Sequence, residues 1–530
     1  MKRKEKDNES KISIIAWTTL VVLGISVLIT MYGETMLLPA IPDIIGEFNI
    51  TYNTSSWILT AYLIAGAVMT PVAGKLSDVY GRKKMVLIIL IVYIIGVAIG
   101  GWSPNIYVML VSRVIQGIGI SMFPIAFGII RELLPAQKLA IGVGIFTSMF
   151  AAGSVIGLAL GGTIVQHLGW RTTFFSILPL GIILWFAINH YVKDHKREQS
   201  NKYIFTENKN NNKIEIPKTN FTSVIDIKGA ILLAVSITSF LLAITYIGNI
   251  NSLENNHNNS YATNAAGSPN SVIYITLVLI STTLISIILF IIVEKKSRSP
   301  LIDLKLFGNK VFSISNILVL TLGLPMFLVY QTIPFLVRSP QPIGFGGNAI
   351  EAAIVQLPFM IIFLIFAPAS GFIISKIGSI KPVVWGTIFS LIGFIGMFFF
   401  HSTEVLVGIN LAVIAVGFAL LNTGVFNIIM ISTPIQYSGI SLGMSVVVMI
   451  IGMSIGPIVA GFFMQSFQTP SVSTLSTQTA TTTTLLSHPS AIAYNLIFVT
   501  GIIISTCSII LAFLLRKKLI KLDLPEEQQI

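Results

Sequence analysis

The stretch GKLSDVYGRKKM, from Gly74 to Met85, lies between two long apolar runs and decides how the chain is organised. It combines two glycines and an aspartate with three consecutive basic residues, which a loop that only reversed the chain direction would not need. Gly74 and Gly81 lack a β-carbon, so they permit a tight turn and a close approach of helix ends.

The charges of this stretch have two interpretations. Asp78 is an acid in an otherwise basic segment, where it could pair with Arg82 or cap the N-terminus of a facing helix. Lys83 and Lys84 suit contact with anionic lipid headgroups. If the stretch only anchors the chain at the membrane surface, the lysines are explained but Asp78 and the glycine spacing are not. A gating role, in which Asp78 holds helix ends together, would explain these features as well.

The composition is that of a membrane protein. Of 530 residues, 54% are hydrophobic and only 10% are charged, against about 25% charged residues in soluble domains. The single cysteine, Cys507, lies in an apolar run, and we expect it to be a buried, unreactive thiol. Each apolar run is long enough to cross about 30 Å of hydrocarbon as a helix. The fourteen runs lie at about 13–38, 54–74, 85–102, 107–130, 139–164, 172–191, 226–248, 271–293, 310–336, 350–375, 382–400, 404–428, 439–466 and 490–515.

The basic residues predict how these helices are oriented. If the N-terminus is cytoplasmic, the loops that alternate onto the cytoplasmic side carry 30 of the 33 Lys and Arg residues. Cytoplasmic loops of membrane proteins carry this excess. We therefore expect a multi-pass protein of the plasma membrane with both termini in the cytoplasm. The net charge of +12 then reflects membrane topology, and we expect no binding of nucleic acid.

Two motifs return along the chain. GKLSDVYGRKK has a weak echo in GFIISKIGSIK from Gly371, and GSVIGLALGG from Gly153 has one in GMSIGPIVAG from Gly452. The offsets are 297 and 299 residues, which indicates two homologous halves. Duplicated six-helix halves are typical of secondary transporters. We expect a cytoplasmic N-terminus (1–12), a first six-helix bundle (13–191), a linker (192–225), an inserted helix pair (226–293), a connector (294–309), a second six-helix bundle (310–515) and a cytoplasmic tail (516–530).

The motifs and their order resemble those of the major facilitator superfamily. GKLSDVYGRKKM resembles motif A, RVIQGIG from Arg113 resembles motif B, and GSVIGLALGG resembles motif C. WILTAYL, LGWRTTFF and PLIDLKLFGNKVF resemble the drug:proton antiporter family with fourteen spans. The resemblance implies an all-α membrane fold of two six-helix halves with an inserted central pair. It also implies a gate that holds the cytoplasmic side shut, formed by Gly74, Asp78, Gly81, Arg82 and Lys83.

Arg113 is a charged residue a few positions into a span. A charge there is costly unless it faces a cavity or a partner. The resemblance places it near the translocation path, where it assists proton movement; the alternative is an arginine that snorkels from a helix end. Gln116 lies one turn further on the same face and adds a hydrogen-bonding partner.

The glycines of motif C recur at every fourth position. Gly153, Gly157 and Gly161 therefore share one helix face, with Gly162 beside them, and this smooth face favours close helix packing. The residues themselves predict close packing and no more, and a role in antiport is implied by the resemblance alone. Leu158 stands where the family usually has a proline, so the sequence departs from the family there.

Glu34 is an acid within the first span, which makes it a functional candidate. A carboxyl removed from water could load and release protons near neutral pH, and it could also attract a cationic substrate. The family often carries an acid in this region, but aligning its following proline on Pro42 places that acid at Gly33. One residue is about 100° around a helix, so Glu34 could instead be a carboxyl at the outer interface.

Other polar residues interrupt the apolar spans. We expect Asp226, which is followed by Gly229, to cap a helix that starts on the cytoplasmic side. In the second half, four amides either line a cavity or bond neighbouring helices: Gln331, Gln356, Asn422 and Asn427.

The predicted function is proton-coupled export of amphipathic or cationic small molecules by alternating access. The expected partners are protons, the substrate and the lipid bilayer, with no cofactor or metal, and the protein is expected to act as a monomer. The alternative is a carrier of the same fold for another metabolite, either an exporter or a proton-symport importer. We find no H-E-x-x-H motif, no Walker motif and no His cluster, so the sequence does not predict an enzyme.

Overall fold

The computed structural model describes residues 14–134, 136–192, 226–255, 269–297, 300, 304–433, 438–477 and 480–520. The predicted cytoplasmic N-terminus and nearly all of the predicted linker lie outside these residues. Among the described residues, fourteen helical segments are long and apolar enough to cross a membrane.

The described helices fall into two sets of six spans around a central pair. The first set is α1 (Ile14–Thr35), α3 (Tyr52–Tyr80), α4 (Arg82–Gly101), α5 and α6 (Ile106–Gly117 and Met122–Leu133, one span joined by a 3₁₀ turn at Ile118–Ser121), α7 (Ala136–Leu168) and α8 (Trp170–Tyr191). The inserted pair is α9 (Ile227–Asn255) and α10 (Pro269–Lys296). The second set is α11 (Lys310–Arg338), α12 (Ala349–Ile377), α13 (Ile380–Phe399), α14 (Glu404–Ser432), α15 (Ser438–Ser466) and α16 (Ala491–Ile520).

Two elements outside the spans were not predicted from the sequence. A short helix, α2 (Ile41–Phe48), follows a 3₁₀ turn at Leu38–Ala40 in the connection between α1 and α3. An antiparallel hairpin of β1 (Gln468–Thr477) and β2 (Ala480–Pro489) precedes α16. This last stretch is polar and lies between the last two apolar runs of the sequence.

Helix starts are fixed by side chains that accept hydrogen bonds from the first turn. Thr51 accepts from the backbone of Thr54 at the start of α3, and Asn348 forms a capping box with Glu351 at the start of α12. Asp226 accepts a bond of 2.7 Å from the backbone N–H of Gly229, so the predicted cap at the start of α9 is confirmed. Such caps satisfy N–H groups that have no partner within the helix.

The sequence repeat is present in the backbone. Gly81 ends α3 with φ of 97°, and Gly378 ends α12 with φ of 76°. The two glycines are 297 residues apart, which is the offset of the motif A echo. In both places a new helix begins within two residues, so a positive φ, which favours glycine, turns the chain back into the bundle.

Two pairs of helices make the main contacts between the halves. Within the first half α1 packs on α7, and within the second half α11 packs on α15. The halves meet where α3 lies against α15 and where α7 lies against α12. The inserted helix α9 packs on both α3 and α15, whereas α10 packs mainly on α9 and leaves most of its apolar surface outward.

The two ends of the bundle differ in charge. We call one of them the basic end, because the helix ends there carry Lys83, Lys84, Lys295, Lys296, Lys517 and Lys518. The other, called the opposite end, carries α2, the loop between α11 and α12, and the hairpin.

Cys507 is exposed on the surface of α16. The prediction of a buried thiol was therefore wrong. An apolar run in a membrane protein has lipid as well as protein to cover it, so the hydrophobicity of α16 does not show which of its residues are covered by other helices.

We predict that Gly81→Ala and Gly378→Ala each destabilise the protein by about 1–3 kcal/mol, since a β-carbon is strained at these positive φ values. Thermal unfolding in detergent measures this effect. Gly74→Ala and Gly371→Ala are matched controls, because both residues are helical and have no atom within 4 Å of an added β-carbon. Equal stability of all four variants would contradict the assigned backbone conformation.

Candidate functional site

Glu34 lies in the last turn of α1 and is buried, with 4% of its surface exposed. Its Oε1 atom has no hydrogen-bond partner among the described residues. The carboxyl group interacts electrostatically with Arg113 of α5, Tyr62 of α3 and Tyr330 of α11. Since α11 belongs to the second half, the Glu34 carboxyl lies near the boundary between the halves.

The neighbouring position, Gly33, faces a different part of the bundle. A β-carbon there would overlap the Tyr93 hydroxyl of α4 and lie 3.0 Å from Ile177 of α8. There is no room for a side chain at this position. An acid can therefore project from this part of α1 at position 34 but not at position 33.

Arg113 is fully buried and is held by three groups. Its Nε donates to the backbone oxygen of Ile58 at 2.9 Å, and its Nη1 donates to Gln116 Oε1 at 3.0 Å. The guanidinium lies over the Tyr62 ring, with Cζ 4.5 Å from the ring centroid, a cation–π geometry. Its Nη2 atom has no hydrogen-bond partner within the described ranges. Arg113 is thus fixed in place with the Nη2 nitrogen still able to donate.

Gln116 completes the arrangement around Arg113. Its Nε2 donates to the Gly96 backbone oxygen at 3.2 Å and to Ser112 Oγ at 3.3 Å, while its Oε1 accepts from Arg113. The close approach of α4 depends on glycine here, because a β-carbon at Gly96 would lie 2.8 Å from the Gln116 backbone nitrogen. Gln116 therefore orients Arg113 and ties α5 to α4.

The four amides of the second half are used differently. The Nε2 atom of Gln331 lies 3.5 Å from the hydroxyl oxygens of Ser55 and Ser56 in the first half, at the long end of the hydrogen-bond range. Asn427 donates a bond of 2.6 Å to Ser379 and so joins α14 to the connection after α12. Gln356 is fully buried and neither atom of its amide has a hydrogen-bond partner, and Asn422 Oδ1 also has none.

The glycines of motif C separate into two sets of contacts. A β-carbon at Gly153 or Gly157 would overlap backbone atoms of α1 at Leu28 or Tyr32, and one at Gly161 would overlap the backbone of Met36, directly after α1. A β-carbon at Gly162 would instead lie 2.8 Å from the Ala349 backbone oxygen of α12. Three glycines thus bring α7 onto α1, and the fourth brings it onto the other half.

The residues of motif A lie at the basic end. A β-carbon at Gly74 would have no atom within 4 Å, and Gly81 makes the turn between α3 and α4. The Arg82 guanidinium lies against Gly128 of α6. Lys83 donates a bond of 2.7 Å to the Asn189 backbone oxygen. The side chain of Asp78 lies outside the described part of the structure.

The halves are joined at the opposite end by contacts that sequence reasoning missed. Arg338 of α11 pairs with Asp43 of α2 at 2.5 Å and donates to the Pro39 backbone oxygen. Thr60 of α3 donates to the Ser454 backbone oxygen of α15 at 3.1 Å. The structure is therefore closed at the opposite end. No sequence motif predicts these contacts, because single polar side chains do not form a periodic pattern.

Comparison with known proteins gives one family and several relatives. The sequence profile of the Major Facilitator Superfamily matches residues 23–457. The chain is 27% identical over 396 residues to the "Multidrug transporter protein MdtP" of Bacillus subtilis, covering 74% of this chain and 64% of that protein. It is 29% identical over 349 residues to "Multidrug resistance protein 3" of the same species, covering 65% and 59%. The match thus spans about three fifths of the length of these two relatives.

A third relative is matched over more of its length, and two solved structures share the fold. The "Tetracenomycin C resistance and export protein" of Streptomyces glaucescens is 24% identical over 465 residues, covering 85% of this chain and 76% of that protein. The human organic anion transporter MFSD10 aligns with a TM-score of 0.59 at 13% identity, over 94% of this chain and 99% of that one. The xylose transporter XylE of E. coli aligns with a TM-score of 0.57 at 12% identity, over 93% and 97%.

We predict that Gly33→Ala destabilises the protein by about 1–3 kcal/mol, because the added methyl group overpacks against the Tyr93 hydroxyl. Tyr93→Phe removes that hydroxyl and should restore part of the lost stability in the double variant. Thermal unfolding of both single variants and the double variant measures this coupling. Gly46→Ala is the control, since a β-carbon there meets no atom within 4 Å. Additive effects of the two substitutions would contradict the packing described for Gly33.

Proposed function

The chain belongs to the Major Facilitator Superfamily, and we propose that it is a proton-coupled exporter of amphipathic or cationic small molecules. The observation that carries this proposal is the buried Glu34 carboxyl, which has an oxygen without a hydrogen-bond partner among the described residues and interacts electrostatically with Arg113 of the first half and Tyr330 of the second. The names of the multidrug relatives support the same class of substrate.

The chemistry of exchange follows from the environment of Glu34. A carboxylate without water is costly to bury unless a proton or a cation compensates its charge. Arg113 is already engaged by Ile58, Gln116 and the Tyr62 ring, and no ion pair joins it to Glu34 in the described residues. A proton and a cationic substrate can therefore compete for the same carboxyl. Competition of this kind couples the movement of one to the movement of the other.

The same residues supply the alternating-access step. We assign residues 13–191 and 310–515 to the two halves, with the basic end in the cytoplasm and the opposite end outside. The described state is then closed to the outside, by contacts such as the Arg338–Asp43 pair. When the basic end closes instead, Gly74, Asp78, Gly81, Arg82 and Lys83 would latch it, and the motif C glycines would keep α7 packed closely on α1 during the exchange.

The available driving force is adequate for export. A membrane potential of about 100 mV supplies about 2.3 kcal/mol for each charge moved. One proton entering against one neutral substrate moves one net charge and can use this energy, and a pH difference would add to it. Exchange of one proton for one monovalent cation moves no net charge and draws on the pH difference alone. The substrate would meet protein on both sides, since the site draws on α1, α3 and α5 of the first half and on α11 of the second.

A second candidate is a carrier of the same fold for a neutral, hydrogen-bonding metabolite. The fully buried Gln356 amide, with both of its polar atoms unpartnered, favours this alternative. An amide offers both a donor and an acceptor and carries no charge, so it suits hydroxyl or amide groups of a substrate better than a cation.

We predict that Glu34→Gln abolishes proton-driven transport, while the protein still exchanges substrate across the membrane with a lower affinity, because the carboxylate that attracts the cation is lost. Proteoliposomes with an imposed pH gradient and the cationic dye ethidium measure the first property, and counterflow of labelled ethidium without a gradient measures the second. Glu34→Asp keeps an acid and should retain part of the coupling. Glu404→Gln, at the start of α14, removes an acid outside the site and serves as the matched control.

Undiminished proton-driven transport by Glu34→Gln would overturn the role of this carboxyl. Failure of the parent protein to move ethidium, together with transport of a neutral polar compound that is lost in Gln356→Leu, would favour the second candidate instead.

A further inference from the structure

Two glutamines occupy equivalent places in the two halves. Gln166 lies near the end of α7 and Gln465 near the end of α15. They are 299 residues apart, the same offset that relates Gly153 to Gly452 in motif C and its echo. Each also follows a glycine by four positions, Gly162 in one half and Gly461 in the other. The repeat therefore extends beyond motif C to the opposite end of the bundle.

Each glutamine binds the first backbone N–H of a helix in the other half. Gln166 Oε1 accepts from the Ala349 N–H, the first residue of α12, at 3.2 Å. Gln465 Oε1 accepts from the Tyr52 N–H, the first residue of α3, also at 3.2 Å. The first N–H groups of a helix have no partner within that helix. Thr51 and Asn348 cap other N–H groups of these two helices, and each glutamine supplies the first N–H with an acceptor from the other half.

The glycine before each glutamine brings the two helices together. A β-carbon at Gly162 would lie 2.7 Å from Ala353 Cβ and 2.8 Å from the Ala349 backbone oxygen. A β-carbon at Gly461 would overlap Ser56 Oγ and lie 3.1 Å from the Tyr52 backbone oxygen. The glycines therefore allow the contact, and the glutamines, one turn further along, bond across it.

We propose that Gln166 and Gln465 form a reciprocal pair of helix caps that stabilises closure at the opposite end. Opening of this end separates α7 from α12 and α15 from α3, so both hydrogen bonds break and the helix N-termini pass to water. The pair then sets the equilibrium between the two access states. This proposal rests on alternating access and does not depend on the identity of the substrate or on proton coupling.

The pairing explains why the polar contacts are placed at helix N-termini. A side-chain carbonyl there also meets the positive end of the helix dipole. Water can replace the bond when the gate opens, since Gln166 is exposed to solvent at the bundle end. The contribution of each cap is therefore modest, and a modest contribution suits a gate that must open and close repeatedly.

Distance measurements between spin labels test the proposal without substrate or gradient. Since Cys507 is the single cysteine, Cys507→Ala provides the background. One label pair, Tyr107→Cys with Val405→Cys, reports the opposite end, and another, Tyr191→Cys with Met430→Cys, reports the basic end. All four residues are exposed on the described helices.

Gln166→Met and Gln465→Met each keep the length of the side chain and remove the acceptor. We expect each to raise the ratio of open to closed states at the opposite end by about threefold, and the double variant by about tenfold. Gln166→Glu with Gln465→Glu should shift the ratio toward closure at a pH where the new carboxyls are ionised, because a carboxylate binds a helix N-terminus more strongly. His167→Ala, one residue from Gln166 and exposed, should change nothing.

Unchanged distance distributions in the double Met variant, with its thermal unfolding also unchanged, would overturn the proposal. If the double Met variant fails to fold, the Glu variants decide: no shift toward closure at the opposite end would likewise overturn it. If Glu34 variants transport normally, the proposal of proton coupling at Glu34 fails. The distance measurements would still test the glutamine caps, so the two proposals can fail separately.

Discussion

The close approach of helix backbones along glycine faces is the constraint on which the rest of the structure depends. In the first half α7 lies so near α1 that any β-carbon at Gly153 or Gly157 would overlap its backbone. The second half repeats this contact where Gly452 and Gly456 face α11. Lipid tails are as apolar as the helices, so the hydrophobic effect does not drive helix association within the membrane. Close packing of this kind must therefore hold each half together. Two rigid halves can then move against each other as units.

Two charged side chains, Arg113 and Glu34, are buried within the first half. Arg113 is fully buried, and its backbone, amide and aromatic partners keep it in a fixed position. Glu34 is also buried but has an oxygen without a hydrogen-bond partner in the described part of the chain. An arrangement that fixes the cation and leaves the acid available is what proton exchange requires, whereas a structural ion pair would satisfy both groups. The proposed coupling of transport to protons depends on both features, the rigid halves and the available acid.

The sequence was enough to predict the fold, because span length, basic loops and a repeated motif each act through local chemistry. The helix pair between the halves and the cap at Asp226 were predicted for the same reason. Gly33 and Glu34 could not be distinguished, since only the positions of Tyr93 and Ile177 show that a side chain fits at 34 and not at 33. Gln166 and Asp43 were missed because their partners, Ala349 and Arg338, are distant in sequence. Tertiary packing decides which polar residues of the two halves come into contact.

Proton release on substrate binding tests the central claim most directly. The purified protein in weakly buffered detergent solution would be titrated with ethidium while a pH-sensitive dye records free protons. If substrate and proton compete for Glu34, binding should release about one proton per ethidium when the starting pH keeps the carboxyl protonated, and Glu34→Gln should release none. Saturable ethidium binding without proton release at any pH would contradict the claim.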